Sequence, residues 1–289
     1  MARRKPKPVE GASPSLRSRE LGQKLRDLRK KADLTAEDVA DQLRCSLAKI
    51  SHMELGKRPA TLRDIRDLGI LFKIPKKEYE DLERLAREAR QRGWWEAYGE
   101  VPYSKYISYE AEAVSLRSYQ SLAIPGLLQT DGYALAVNQG TFPDISAEEV
   151  DQLAKVRAKR QALLNRAKTP LPLTAIMDEA TLHRRVGSPE VMAGQLRKLI
   201  EVSELPNVRL QVLPYELGSY PGTSGQFVIL ELAMPENKLD VVYVESLAGD
   251  LYIDGPTKVA RYTEVFGQLA ELALSPQDTR ALIERRLKE

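Results

Sequence analysis

The sequence predicts a mainly α chain with an α/β part: a five-helix N-terminal bundle followed by a larger α+β domain. Three observations carry this. Apolar residues recur at helical spacing through residues 21–92, with capping residues and breakers between the runs. After Pro170 the texture changes to short apolar or alternating runs interleaved with helical ones. Charge also divides the chain: residues 1–92 hold 24 Lys and Arg against 15 Asp and Glu, and the remainder 20 against 26.

Taken in order, residues 1–18 hold three prolines, small residues and basic residues, and are expected to form a flexible basic arm. The bundle is assigned to 19–92. Leu21, Leu25, Leu28 and Ala32 mark one face of a first helix. Thr35 can cap a second, with Ala36, Val39, Ala40 and Leu43 on one side, and Ser46 a third, with Ile50 and Met53 inward. Thr61 begins a fourth, burying Leu62, Ile65, Leu68 and Leu71 and stopping before Pro75. A charged fifth helix over 76–92 turns Tyr79, Leu82, Leu85, Ala86 and Ala89 inward.

The second domain is assigned to 93–289. The aromatic, Gly-containing segment 93–108 looks like a junction whose rings pack. Helices are expected over 109–120, 127–139 and 146–168, with Pro125-Gly126 breaking the first from the second. Strands follow at 171–177, 208–213, 226–232, 239–245 and 250–253. Helices are expected at 178–186, 189–204, 256–273 and 276–288.

At 289 residues the chain has room for two domains, and 43% hydrophobic residues can fill real cores. A mean hydropathy of −0.39 and the lack of a long apolar run argue against a membrane span. The N-terminus lacks the apolar stretch of a secretory signal, and Cys45, the one cysteine, suits a reducing cytoplasm. A basic N-terminal part joined to an acidic C-terminal part fits a nucleic-acid module attached to something else.

Helix, tight turn and helix again over residues 35–58 is the helix-turn-helix pattern, whose second helix reads base edges in the major groove. Such a helix needs short or polar side chains at its exposed N-terminal positions, flanked by phosphate donors. Ser46, Leu47, Ala48, Lys49 and His52 fill those positions, and Arg44, Lys57 and Arg58 flank them. Leu47 and Ala48 suit thymine methyl groups; Lys49 and His52 can donate to bases or phosphates.

On these residues, segment 21–72 resembles the Cro/C1-type (xenobiotic-response-element) helix-turn-helix family. Its marks are LRDLRKKADLTAEDVA and the ending Ile50-Ser51-X-Met53-Glu54-X-Gly56-Lys57-Arg58. The resemblance implies a buried structural ion pair between Arg29 and Glu54. Two positions depart from the family: Ala36 stands where glutamine often binds phosphate, and Arg44 where the turn often carries glycine.

Residues 94–285 resemble the C-terminal domain of actinobacterial WhiJ-like regulators. The resemblance rests on Trp95 to Tyr106, Glu110 with Tyr119, IPGLLQTDGYA at 124–134, Arg157-X-X-Arg160-Gln161, DEATLHRRVG at 178–187, Gln195-Leu196, NVRLQVLP at 207–214, Phe227 and VVYVE at 241–245. It implies control of development or antibiotic production and a small partner protein encoded nearby. Pro125, Gly126 and Gln129, with Glu179, His183 and Arg185, are the candidates for a partner or ligand surface. Each also has a structural reading, as an elbow and as a helix whose end charges suit its dipole.

Catalysis is not expected. His52 belongs to the reading helix, leaving His183 as the other histidine, and Cys45 has no evident activating base. Nucleophile turns, phosphate loops and metal-ligand clusters are missing, and GSYPGTSG at 218–225 lacks the Lys-Ser/Thr ending of a phosphate loop. No cofactor or metal is expected. The sequence therefore points to a cytoplasmic regulator that binds double-stranded DNA as a homodimer and takes up a small partner protein, with no membrane partner. Two alternatives stay open: an antitoxin-like module that sequesters a small protein, and a ligand-sensing repressor.

Overall fold

The computed structural model describes residues 16–90, 94–98, 101, 103–142, 144–233, 238–246 and 249–289. Most of the expected N-terminal arm, residues 1–15, lies outside the described residues; the helix begins at Leu16, inside the arm's expected span. The chain divides into two compact units, residues 1–96 with 103–109, and 97–102 with 110–289.

The first unit is five helices: α1 (Leu16–Lys31), α2 (Ala36–Gln42), α3 (Leu47–Glu54), α4 (Leu62–Leu71) and α5 (Lys76–Glu88). Local chemistry sets their ends. Thr35 and Thr61 each form a capping box, with Asp38 and Asp64 respectively, and Ser46 accepts from the Lys49 amide. Three helices close in the same way, on a non-glycine residue in the left-handed region: Asp33 (φ 54°), Arg44 (φ 50°) and Lys73 (φ 52°). In each case the next residue's amide reaches five residues back: Leu34 to Arg29 O, Cys45 to Ala40 O and Ile74 to Gly69 O. Leu34, Cys45 and Ile74 then pack against the core of Leu21, Leu25, Val39, Ile50, Met53, Ile65, Leu82 and Leu85.

Two glycines let α1 approach α3 closely. A Cβ on Gly22 would lie 2.5 Å from Met53 O and 2.6 Å from Glu54 O. Gly56, at φ 65°, would meet the backbone of Ser18 and Arg19 at under 3 Å.

The second unit is built on a six-stranded sheet of order β3-β2-β1-β4-β5-β6, formed by β1 (Ala113–Gln120), β2 (Leu173–Asp178), β3 (Val208–Leu213), β4 (Phe227–Ala233), β5 (Lys238–Val244) and β6 (Leu251–Ile253). β1, β2 and β3 run parallel, while β4, β5 and β6 add antiparallel to β1. α6 (Ser104–Glu112) crosses the point where the two units divide. The second unit's other helices are α7 (Asp131–Thr141), α8 (Ala147–Gln161), α9 (Ala180–His183), α10 (Pro189–Val202), α11 (Pro256–Leu272) and α12 (Pro276–Lys288). Tyr119, Ile176, Leu213, Phe227, Ile229 and Val242 of the sheet and its margins share a core with Val259, Phe266 and Leu269 of α11.

Residues 113–120 correct the helical expectation for 109–120. They form a central strand, paired with β2 on one side and β4 on the other. Leu116, Ser118 and Tyr119 are all buried there, so no clean alternation betrays the strand. The helix expected at 178–186 shrinks to α9. The one expected at 127–139 begins as a 3-10 turn at Gly126–Leu128, and the one at 146–168 passes into 3-10 geometry at Ala162–Asn165. No helix among the described residues is long and apolar enough to cross a membrane.

The α1–α3 contact leaves no room for a methyl group. Gly22→Ala is expected to destabilise the protein by about 1–3 kcal/mol despite alanine's better helix propensity, read as a lower urea midpoint in far-UV circular dichroism. An unchanged midpoint would mean that the helices separate at no cost.

Candidate nucleic-acid interface

α3 is held by its inner face and presents its outer one. Ile50 and Met53 are buried in the bundle. Leu47, Ala48 and His52 are exposed, as is Ser46 at the cap. Leu55, one turn beyond Ser51 and 48% exposed, extends the row; Leu47 is 43% exposed. The outward surface is therefore short and partly apolar, a shape suited to base edges and thymine methyl groups.

Lys49 leaves this row. Its Nζ lies 2.5 Å from Asp64 Oδ1, so it ties α3 to the start of α4 instead of presenting a free donor. Asp64 is buried, which pushes its carboxyl up. Hydrogen bonds from Lys49, the Thr61 amide and the Thr61 hydroxyl outweigh that and hold it below the usual carboxylate range.

Arg44, in the turn, is exposed and strained in the left-handed region, the position where the resembled family often has glycine. Lys57 and Arg58 are exposed after α3, and the Arg58 amide donates to His52 O at 3.1 Å. Arg63 and Arg66 on α4 are exposed as well, their Nε atoms 3.7 and 3.6 Å from Asp67 oxygens. The basic spacing of KRPATLRDIR at 57–66 was the signal for both. Ala36 is half-buried against the core and is followed by exposed Glu37 and Asp38, so the start of α2 offers carboxylates rather than a phosphate donor.

Arg29 and Glu54 come together as a fork. Arg29 Nε donates to Glu54 Oε1 at 2.6 Å and Nη2 to Oε2 at 2.9 Å, while Nη1 donates to Leu34 O at 2.8 Å. The side chains are 13% and 11% exposed, and the bond to Glu54 raises the Arg29 pKa. The pair joins α1 to the end of α3 and to the turn before α2.

In the second unit, the candidate surface at 124–130 turns inward. Pro125 is buried, and a Cβ on Gly126 would meet the Arg160 guanidinium at 3.3 Å. Gln129 Nε2 donates to Ile124 O, and Gln129 O accepts from Gln161. Gln195 bridges the Thr130 amide and Leu128 O. Pro125, Gly126 and Gln129 thus build an elbow, because their polar groups are satisfied within the fold. Beneath it Arg160 forms a bidentate pair with fully buried Glu110, at 2.6 and 3.0 Å.

Glu179 is also buried. One oxygen lies 3.2 Å from His183 Nε2 and the other accepts the Tyr215 amide at 2.9 Å. His183 packs beside the Tyr215 ring, and Arg185 is exposed outside this cluster. Sequence reasoning missed the neighbouring chain of Asp178, Tyr220 and Tyr119. Tyr220 donates to Asp178, and its hydroxyl lies 2.8 Å from that of Tyr119. Burial, then the bond to Asp178, pushes the Tyr220 hydroxyl well above the usual phenol range. Tyr220 belongs to the 218–225 run, whose Gly222 sits against the Tyr119 ring, so the loop is pinned to the strand ends by contacts no local pattern announces.

The capped helix pair, the buried fork and the exposed outer face of α3 define a helix-turn-helix protein. Residues 20–82 match the family described as Helix-turn-helix domain, the type of domain that DNA-binding regulators carry. Residues 103–285 match the Domain of unknown function (DUF5753), and the chain belongs to that family. No curated protein matches, and no solved structure does.

Arg29→Met would leave Glu54 largely buried without its partner and is expected to cost about 3 kcal/mol, measured by urea denaturation. A second measurement concerns acid. The Asp64 carboxyl lies below its unfolded-state value, so its contribution is present above about pH 3.9 and is lost as pH falls through the lower folded value. The stability gap between wild type and Asp64→Asn should therefore be full at neutral pH and close below about pH 3.9. A gap independent of pH would sink this assignment.

Proposed function

We propose that the chain is a sequence-specific DNA-binding transcriptional regulator that acts through binding and not through catalysis. The observation that carries this is the outward row Leu47, Ala48, His52 on a helix locked from behind by Arg29–Glu54, with exposed Arg44 before it and Lys57 and Arg58 after it. Bases are read by the row and phosphates by the rim. Lys49 acts by positioning α3 through Asp64. One eight-residue helix reads few bases, so the protein binds as a homodimer on a two-fold operator.

The DUF5753 unit takes up a small partner protein and sets when the DNA is bound, in the manner of WhiJ-like regulators of development or antibiotic production. The binding reading is supported by how the polar groups of this unit are spent. His183 is engaged with Glu179, and Glu179 with a backbone amide, which holds a loop in place.

Selected double-stranded oligonucleotides test the assignment. Ala48→Glu, placing a carboxylate in the groove, should lower operator affinity at least 100-fold with an unchanged melting temperature. Lys57→Ala and Arg58→Ala should weaken all sequences about equally and each lower the salt slope by about 1. Arg44→Gly relieves the left-handed strain, so it should raise stability by about 0.5–1 kcal/mol while weakening DNA binding. Full affinity retained by Ala48→Glu would refute the reading face.

A further inference from the structure

The donor and acceptor code of the major groove sets what α3 can discriminate. Guanine is singled out by a bidentate Arg or Lys, adenine by a bidentate Asn or Gln, and cytosine by a carboxylate. Thymine is singled out by apolar contact with its C5 methyl group. Between Ser46 and Leu55 there is no Arg, Asn or Gln. The two residues of α3 with the charge to read guanine or cytosine, Lys49 and Glu54, are both spent inside the bundle. Lys49 Nζ lies on Asp64, which in turn closes the capping box of α4 with Thr61. Swinging Lys49 outward would strip a buried carboxylate of its cation. Glu54 has both oxygens on Arg29.

What faces outward is then two short rows one helical turn long. Leu47, 43% exposed, is followed at four residues by half-buried Ser51, and exposed Ala48 by exposed His52. The Ser46 hydroxyl oxygen serves the cap, accepting the Lys49 amide at 3.2 Å. A hydroxyl or an imidazole donates one hydrogen bond, and the N7 acceptor it would meet is carried by adenine and guanine alike. Ser51 and His52 therefore mark a purine without saying which. Leu47 and Ala48 are the side chains of this face that separate one base pair from another.

We propose that this protein selects its operator through the 5-methyl groups of pyrimidines, met by Leu47 and Ala48, and so reads thymine and 5-methylcytosine as equivalent. Both bases carry the methyl group at the same place in the major groove. They differ in the group at C4 and in the paired purine, and α3 has no reader for either difference. Unmethylated cytosine, which offers no methyl group, is disfavoured. Cytosine methylation of DNA at such a position thereby creates a site. Burying one methyl group is worth about fourfold in affinity, less than a bidentate pair, so selectivity grows with the number of methyl groups met in the two half-sites. This rests on the reading of α3 as the DNA-reading helix and names the class of DNA it takes.

The test uses the full-length protein and the duplex it enriches from random double-stranded oligonucleotides. Thymines are replaced one position at a time, in both half-sites, by deoxyuridine, which lacks only the methyl group. Fluorescence anisotropy should show a loss of roughly tenfold or more at one or two positions, since two methyl groups are removed each time. At those positions C·G in place of T·A should lose as much. Pairing 5-methylcytosine with guanine there should restore affinity to within about threefold of the thymine duplex. Leu47→Ala and Ala48→Gly, both at exposed positions, should each reduce the uridine penalty at one position to less than about twofold. Lys49→Met should lower the melting temperature and leave the base preference at every position as it is.

Uridine without effect at every position would overturn the assignment, as would 5-methylcytosine binding no better than cytosine. A uridine penalty undiminished in both Leu47→Ala and Ala48→Gly would mean that the methyl group acts through DNA shape, and would overturn it too. So would a guanine preference that disappears in Lys49→Met, which would put Lys49 in the groove, or in Arg44→Ala, which would move the reading to the turn. Ala48→Glu is measured on the same duplexes. If it loses operator affinity while uridine is neutral, the reading face stands and the methyl selection falls. If no duplex is enriched at all, the DNA-reading assignment falls with it.

Discussion

The helix that would meet DNA is positioned by the contact between α1 and α3, where the backbones touch with no side chain between them. Gly22 supplies the space, since a methyl group there would run into the carbonyls of Met53 and Glu54. Arg29 supplies the polar lock, because its fork holds both oxygens of Glu54 while its third nitrogen holds Leu34 O. One guanidinium thus fixes the end of α3 and the turn before α2. Its stabilising effect depends on both partners being present, because either charge left alone would be largely buried. Lys49 and Asp64 add a second tie, from the first turn of α3 to the first turn of α4. With both ends tied, the outer face is presented on a rigid support, which is what selective reading of base edges needs.

The second unit relies on the same device in a drier setting. Glu110 is wholly buried and is paired in bidentate fashion by Arg160, whose guanidinium also packs under Gly126. The IPGLLQT elbow is then hung on amide side chains from distant helices, Gln161 and Gln195. The bidentate geometry and these amide bonds offset the desolvation that burying Glu110 and Arg160 costs. A segment that looks like a binding motif in sequence is here the connection between a central strand and a helix.

Legibility followed the range of the interactions. The five bundle helices could be placed because Thr35, Ser46 and Thr61 cap within three residues and the apolar periodicity lies within each helix. β1 could not, because a strand buried on both faces loses its alternation, and AVSLRSYQ sits directly after a true helical turn. On the outer face of α3, exposure of Leu47, Ala48 and His52 followed from helical phase. The diversion of Lys49 did not, since Asp64 is fifteen residues away and its burial is a property of the packed bundle. Asp178, Tyr220 and Tyr119 span about a hundred positions, and nothing local to any one of them announces the others.

What the sequence by itself determined is the order of the five bundle helices, the helix-turn-helix with its cap residues, the Arg29–Glu54 partnership and the charge division between residues 1–92 and the remainder. These depend on short-range periodicity, on capping chemistry and on a motif whose spacing is preserved. Only the tertiary structure decided which polar side chains are spent inside the fold, as with Lys49, Gln129 and Glu179. Those outcomes depend on where distant segments meet, because a hydrogen-bonding group is available to a partner only when no part of its own chain has reached it first.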